Sequence, residues 1–256
     1  MKLSEALSPS FRTLGRELGL KVEIFEGRLI VLAPMWRRAL STESQFCKAV
    51  VSAGYLTERQ MLRAARRYRL GSTRQGGVIF WQIDEHDEIY DGKVMYYRDD
   101  CHRDKQHQPT WVSTLLARRY HWADNDTMTT RHCLFGLHLL GAFSTVCVVE
   151  SEKSAVILSE RFPQYLWLAT GGQGNVQTEK FRPLRGHKVF LFPDTDPKGK
   201  TFKAWYEAAQ LVMRQPFWEG SPPITVSPLL EQHATPEQKA TKIDIVDFLE
   251  WSLQTG

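Results

Sequence analysis

The sequence predicts an α+β protein whose C-terminal part is an α/β domain, with a parallel sheet of about four strands and flanking helices. From Ser144 onward, short apolar runs alternate with helix-like segments, which is the order of βαβ units around a parallel sheet. Before that point, strand patterns and short helices occur without this regular order. Hydrophobic residues make up 42% of the 256 residues, enough to bury a sizeable core.

The chain is predicted to divide into three parts. Residues 1–75 form an arginine-rich N-terminal part with a hairpin and helices, and residues 76–143 form a β-rich connecting region. Residues 144–256 form the α/β domain and end in an amphipathic helix. The first boundary lies immediately before the Gly76-Gly77 pair, where a strand-like pattern begins.

In the N-terminal part, residues 21–32 alternate as a β-hairpin does, and two helices follow. The second helix begins at Thr57, whose hydroxyl can cap exposed amides, and Gln60 completes a capping box. This helix is rich in arginine, which fits either contact with nucleic-acid phosphates or a solvated helix face. The candidate phosphate contacts on it are Arg63, Arg66 and Arg67.

The connecting region contains two strand-like runs, 78–84 and 93–98. Asp91-Gly92 lies between them and is typical of a two-residue hairpin turn, so we predict a hairpin that turns there. A short helix is expected near 111–119.

The C-terminal domain should contain four strands and four helices. The strands are predicted at 146–149, 165–169, 188–192 and 224–227. The helices are predicted at 152–162, 176–181, 200–214 and 244–251.

Two of these strands end in carboxylates. Glu150 follows the first, and Asp194 and Asp196 follow the third. Active crevices of open α/β sheets lie just beyond the carboxyl ends of the strands, so the three side chains should converge at one edge. Carboxylates placed together repel one another, and a hard divalent cation such as Mg²⁺ relieves that repulsion.

These motifs resemble the toprim domain, which bacterial primases, topoisomerases and certain nucleases share. The resemblance rests on the strand-terminal Glu150, on Thr170-Gly171-Gly172 after the next strand, and on Asp194-Thr195-Asp196 followed by Gly199. It covers about residues 144–230 and implies a Rossmann-like fold. Residues 148–155 are most similar to primase-like toprim proteins of bacterial mobile elements.

The resemblance also implies roles for individual residues. Glu150, Asp194 and Asp196 would be the catalytic residues and the ligands of Mg²⁺, with Mn²⁺ as a substitute. Phosphate or nucleic-acid contacts are expected from Lys153, Lys198, Lys200, Thr170, Gly171 and Gly172. The Thr-Gly-Gly segment is equally well interpreted as a purely structural turn.

The implied function is that of a primase-like nucleotidyltransferase in DNA replication of a mobile element. Its partners would be DNA or RNA, nucleoside triphosphates and a replicative helicase. Two alternatives remain open: a nuclease that uses the same carboxylates to direct water, and a non-catalytic nucleic-acid-binding accessory protein. Ser151 departs from the glycine that family members often carry after the glutamate, and the sequence contains no cysteine-rich zinc module.

Charge, hydropathy and cysteine content narrow the expected partners, location and metal content. A net charge of +4 permits a polyanionic partner, and no apolar stretch approaches the roughly 20 residues that a membrane span needs. We therefore expect a cytoplasmic protein with no membrane partner. The four cysteines are scattered, so we expect reduced thiols and no zinc. Asp244 and Asp247 could supply another acidic ligand, but a solvated helix face is the preferred interpretation. Glu152 is interpreted as a charge favoured at a helix start.

Overall fold

A computed structural model describes residues 21–25, 28–32, 42–119, 132–172 and 176–255. The chain divides into two compact units, with the boundary between His132 and Cys133. The finer division at residues 75 and 143 stays a prediction.

An antiparallel sheet forms the centre of the first unit. Among the described residues it contains six strands: β1 (Lys21–Phe25), β2 (Arg28–Leu32), β3 (Gly71–Ser72), β4 (Val78–Ile83), β5 (Ile89–Met95) and β6 (Thr110–Trp111). The strand order is β1-β2-β5-β4-β3, and β6 pairs with β5. The helices in the described ranges of this unit are α1 (Gln45–Ser52), α2 (Glu58–Arg67) and α3 (Val112–Arg119). The hairpin of β1 and β2 and the capping box of Thr57 and Gln60 agree with the sequence prediction.

The hairpin turn predicted at Asp91-Gly92 is wrong, because β5 runs straight through both residues. The chain turns instead between β4 and β5, where the Asp84 carboxylate accepts hydrogen bonds from the backbone N–H groups of His86 and Glu88, both at 2.9 Å. Those two bonds stabilise the turn between the two strands, which the sequence placed at the Asp-Gly pair.

Tertiary contacts explain why an Asp-Gly pair stands inside a strand. The fully buried Asp91 carboxylate accepts hydrogen bonds from the Ser113 N–H at 3.0 Å and the Ser113 hydroxyl at 2.6 Å. It therefore fixes the first turn of α3 to β5. Gly92 pairs with Trp81, and a Cβ at Gly92 would lie 2.8 Å from the Trp81 ring and 2.7 Å from Ile79. The glycine is needed for close packing and not for a turn.

Gly92→Ala is expected to destabilise the protein by about 1–3 kcal/mol, because the added methyl group would overlap the Trp81 ring. Urea unfolding followed by tryptophan fluorescence measures the change. The control is Gly141→Ala, since a Cβ at Gly141 meets no atom within 4 Å. It should change the free energy of unfolding by less than about 0.5 kcal/mol. Equal stability of the two variants would contradict the packing described for Gly92.

The second unit is an α/β fold, as the sequence predicts. Its described strands are β7 (Thr145–Val149), β8 (Leu166–Ala169), β9 (Lys188–Phe192) and β10 (Thr225–Val226), and they form a parallel sheet in the order β10-β9-β7-β8. The α-helices are α4 (Glu152–Arg161), α5 (Lys200–Met213), α6 (Leu229–His233), α7 (Pro236–Thr241) and α8 (Ile245–Thr255). Short 3-10 helices occupy Leu137–Ala142, Thr178–Leu184 and Pro216–Trp218.

The strands β7 and β8 are buried on both faces of the sheet, which explains their continuous apolar runs. Val146, Val148 and Leu168 are fully buried in its core, and Trp205 of α5 packs into the same cluster. The helix predicted at 176–181 is the 3-10 helix Thr178–Leu184, where Pro183 lacks the N–H that a continuing α-helix needs.

All four cysteines are free thiols. In the described part of the chain, no helix combines the length and the apolar content that crossing a membrane requires.

Candidate metal and phosphate site

The carboxyl ends of β7 and β9 lie side by side. The two strands pair in parallel, and Val149 at the end of β7 is aligned with Phe192 at the end of β9. Glu150 is the first residue beyond β7, and Asp194 is the second beyond β9. The register therefore brings both acidic residues to the same edge of the sheet.

Glu150 is held by the turn that follows β8. The Gly171 N–H donates to the Glu150 carbonyl at 3.0 Å, and the Thr170 N–H donates to the Val149 carbonyl at 3.0 Å. Gly171 and Gly172 have φ values of +79° and +151°, in a region that side chains rarely tolerate. In this structure the Thr-Gly-Gly segment is a backbone support for Glu150, and its contact with phosphate stays a prediction.

Asp194 is a partly buried acid among other acids. Burial raises its pKa well above the ordinary value, and the nearby carboxylates of Asp244, Glu150 and Asp247 raise it further. The Lys153 ammonium acts in the opposite direction. Like charges therefore accumulate around Asp194, which favours either a proton or a bound cation there.

Asp196 has the opposite electrostatic environment. One carboxylate oxygen accepts the Lys198 N–H at 2.9 Å, and the other accepts the Thr201 N–H at 2.6 Å. Burial alone would raise the pKa of Asp196, but the backbone N–H groups of Thr201, Lys198 and Lys200 outweigh it and lower the pKa to about 2. Asp196 thus caps the start of α5 and stays ionised at neutral pH.

The interpretation of Asp244 as part of a solvated face is wrong. Its exposed fraction is 7%, and it is the N-terminal cap of α8. The Asp247 N–H donates to Asp244 Oδ1 at 2.9 Å, and the Asp244 N–H donates to Asp247 Oδ2 at 3.3 Å. The Ser154 hydroxyl donates to the second Asp244 oxygen at 2.5 Å. The Asp-x-x-Asp spacing before an apolar helix was the available sequence signal for this cap.

The middle residue of the Asp-Thr-Asp loop connects that loop to the start of α8. The Thr195 N–H and the Thr195 hydroxyl both donate to the Ile243 carbonyl, at 3.0 and 3.1 Å. Because Ile243 directly precedes Asp244, these bonds hold the cap of α8 near Asp194. Sequence spacing alone gives no sign of this long-range contact.

The basic residues predicted at the site occupy different surroundings. Lys153, in the first turn of α4, lies 3.9 Å from Asp244 and 3.8 Å from Asp247. Lys198 and Lys200 are exposed before and at the start of α5. In the first unit, Arg63 and Arg66 are exposed on α2, and Arg67 is partly buried.

The donor chemistry near Asp194 fits a hard divalent cation, since the neighbouring groups that act on it, Asp244, Glu150 and Asp247, are all carboxylates. As the side chains stand, no three His, Cys, Asp or Glu residues within the described ranges are arranged to hold a metal ion. Binding Mg²⁺ therefore requires side-chain movement in this cluster.

The family described as "Domain of unknown function (DUF6371)" matches residues 44–195, more than half of the chain. The chain belongs to the DUF6371 family. The DUF6371 match includes Glu150 and Asp194, and it ends at Thr195, before Asp196 and the α8 cap. No curated protein matches the sequence.

Several solved structures are similar to this DUF6371 protein at low identity. The primase fragment of the bacteriophage T7 primase-helicase protein is 18% identical, with a TM-score of 0.42 over 69% of this chain and 70% of that chain. The Aquifex aeolicus primase, comprising its zinc-binding and RNA polymerase domains, is 16% identical, with a TM-score of 0.37 over 98% of this chain and 57% of that chain. The DnaG catalytic core is 16% identical, with a TM-score of 0.37 over 98% of this chain and 79% of that chain. Similarity at this level says nothing about substrate or activity.

Proposed function

We propose that this DUF6371 protein catalyses Mg²⁺-dependent phosphoryl transfer on nucleic acid, as a primase-like nucleotidyltransferase of the toprim type. The main support is the position of Asp194, a partly buried acid among three other carboxylates at the carboxyl edge of a parallel sheet. Such a concentration of like charge is unfavourable unless a ligand compensates it. The sequence resemblance to toprim proteins of mobile elements suggests replication of such an element as the setting.

In this proposal the carboxylates at the sheet edge would hold Mg²⁺, which would supply neutralisation of charge on the transferring phosphate while pyrophosphate leaves. Glu150 accepts the proton of the attacking 3′-hydroxyl as a general base. Asp194 and the ionised Asp196 would be the ligands of that metal, and the backbone bonds of Asp196 fix the orientation of its carboxylate. The exposed Lys198 and Lys200 bind the phosphates of a nucleoside triphosphate.

We assign nucleic-acid binding to the exposed face of α2 in the first unit. Its buried face consists of Met61, Ala64 and Ala65, which leaves Arg63 and Arg66 facing solvent. Arginine side chains on a solvent-facing helix suit the backbone of a single strand, independent of its sequence. A replicative helicase is the further partner that this role implies, and the cytoplasm is the proposed location.

The double variant Arg63→Ala/Arg66→Ala is expected to weaken binding to single-stranded DNA about tenfold at low salt. It should also make the dependence of binding on salt concentration less steep, because two phosphate contacts are lost. Fluorescence anisotropy with a labelled oligonucleotide between about 50 and 200 mM salt measures both effects. Arg185→Ala/Arg214→Ala removes equal charge from exposed positions outside α2 and serves as the control. Equal weakening by both pairs would contradict the assignment to α2.

The activity is tested with purified protein, single-stranded DNA, labelled nucleoside triphosphates and either Mg²⁺ or Mn²⁺. Short labelled oligonucleotides are the expected product. Shortened DNA without oligonucleotide synthesis would show a nuclease instead. Salt-sensitive binding without any product would show an accessory protein, and either outcome would overturn the proposed polymerising activity.

A further inference from the structure

Lys153 occupies an unusual position for a lysine at a phosphate-transfer site. It is the second residue of α4, and its side chain is 13% exposed. Its Nζ lies 3.9 Å from Asp244 Oδ2 and 3.8 Å from Asp247 Oδ1. Lys198 and Lys200, by contrast, are exposed. The partly buried lysine therefore faces the carboxylates of the cluster in this conformation.

The Lys153 ammonium partly offsets the negative charge around Asp194. It lowers the pKa of Asp194, whereas burial and the carboxylates of Asp244, Glu150 and Asp247 raise it. A divalent cation bound to the same carboxylates would perform the same compensation with twice the charge. The Lys153 ammonium and a divalent cation bound to these carboxylates would repel each other strongly, because the site is partly shielded from water.

The oxygens of Asp244 and Asp247 also have existing partners. Asp244 Oδ1 accepts the Asp247 N–H, and Asp244 Oδ2 accepts the Ser154 hydroxyl while facing Lys153. A metal ion that binds Asp244 Oδ2 must replace the Lys153 ammonium as the partner of that oxygen. The ammonium is the partner most readily moved, because Lys153 is a long side chain with four rotatable bonds.

We propose that Lys153 is the resident counter-ion of the carboxylate cluster, that a divalent cation displaces it, and that the released ammonium then contacts the substrate phosphate. This inference rests on the proposed function, since it uses the same metal site. It gives Lys153 two successive partners, the α8 carboxylates before metal binding and phosphate afterwards. Lys153 would thus couple metal binding to substrate binding.

Variants of Lys153 separate competition from a purely structural role. Lys153→Gln should bind Mg²⁺ about tenfold more tightly than wild type in isothermal titration calorimetry, because a competing positive charge is removed. Lys153→Arg keeps the charge and should bind Mg²⁺ within about threefold of wild type. Lys188→Gln removes an exposed lysine at the start of β9 and should leave the affinity unchanged. Equal or weaker Mg²⁺ binding by Lys153→Gln would overturn the proposal, since a lysine that only pins α4 to α8 supports the site.

Wild-type protein provides a test that does not depend on folding of a variant. Acetic anhydride labels accessible lysine amines, and mass spectrometry of peptides measures the extent at each residue. Labelling of Lys153 should rise several-fold when Mg²⁺ is added, while labelling of Lys188 stays constant. Unchanged labelling of Lys153 under saturating Mg²⁺ would overturn the displacement.

The two proposals fail in distinguishable ways. If wild type gives no calorimetric signal with Mg²⁺ or Mn²⁺, the metal-dependent function is wrong and the Lys153 proposal falls with it. If wild type binds Mg²⁺ but Lys153 stays protected from labelling, only the proposal for Lys153 is wrong, and the metal-dependent function is unaffected.

Discussion

Asp194→Asn abolishes phosphoryl transfer and, in protein without added divalent cation, raises the melting temperature. The variant keeps the size of the side chain but removes one negative charge from a group that includes Glu150, Asp244 and Asp247. Loss of a metal ligand should lower turnover about a thousandfold or more. Relief of about 1 kcal/mol of repulsion should raise the melting temperature by about 2–4 °C in a chain of this size.

The combination of lost activity and gained stability distinguishes a ligand site from a structural acid. The control is Glu219→Gln, which removes one exposed negative charge elsewhere in the second unit. It should change neither the melting temperature nor the rate of product formation. Full activity of Asp194→Asn would show that Asp194 is not a metal ligand, and a lower melting temperature would show that its charge is already compensated.

The repulsion around Asp194 also gives the wild type a dependence on pH. The folded-state pKa of Asp194 lies above the ordinary value of 3.8, so the folded protein holds this proton more tightly than the unfolded chain does. Its contribution to the free energy of unfolding is full below about pH 4 and is lost as the pH rises through the raised pKa. Asp194→Asn should lack this loss, so its stability advantage should grow with rising pH in urea unfolding.

Asp244→Ala is expected to have the opposite effect on stability, a loss of about 2–4 kcal/mol in the free energy of unfolding. Asp244 caps α8, and removal of such a cap costs about 1 kcal/mol. Its loss also leaves the buried Ser154 hydroxyl and the Lys153 ammonium without this partner, which adds to the cost. Chemical denaturation monitored by circular dichroism measures the change.

A cap elsewhere in the same unit separates the two contributions to Asp244. Thr235 caps α7 through the same reciprocal arrangement with Gln238, in which each side chain accepts the other residue's N–H. Thr235→Ala should therefore cost about 1 kcal/mol, the cap alone. If Asp244→Ala cost no more than Thr235→Ala, the bonds from Ser154 and Lys153 would contribute nothing to folding.

Sequence reasoning succeeded where a local pattern determines the structure. The apolar runs before Glu150 and Asp194 are parallel strands, as their strand length and their position between helices predict. The capping box at Thr57 was readable because both partners lie within four residues.

Sequence reasoning failed where a distant contact decides the outcome. The Asp91-Gly92 pair has the chemistry of a turn, but Ser113 binds its carboxylate and Trp81 fills the space beside its glycine. The Asp-x-x-Asp spacing marks the cap at Asp244, but its burial was missed because Ser154, which donates to its carboxylate, lies far away in sequence. Local spacing cannot show which helix start reaches the sheet edge.

Phosphoryl transfer as proposed requires the carboxylates around Asp194 to bind a divalent cation. Isothermal titration calorimetry of wild type and Asp194→Asn with MgCl₂ tests this requirement most directly. We expect one saturable site in wild type and at least about a hundredfold weaker binding in the variant, since a ligand is lost from a hard-cation site. Equal binding by both proteins, or no binding by wild type, would contradict the account.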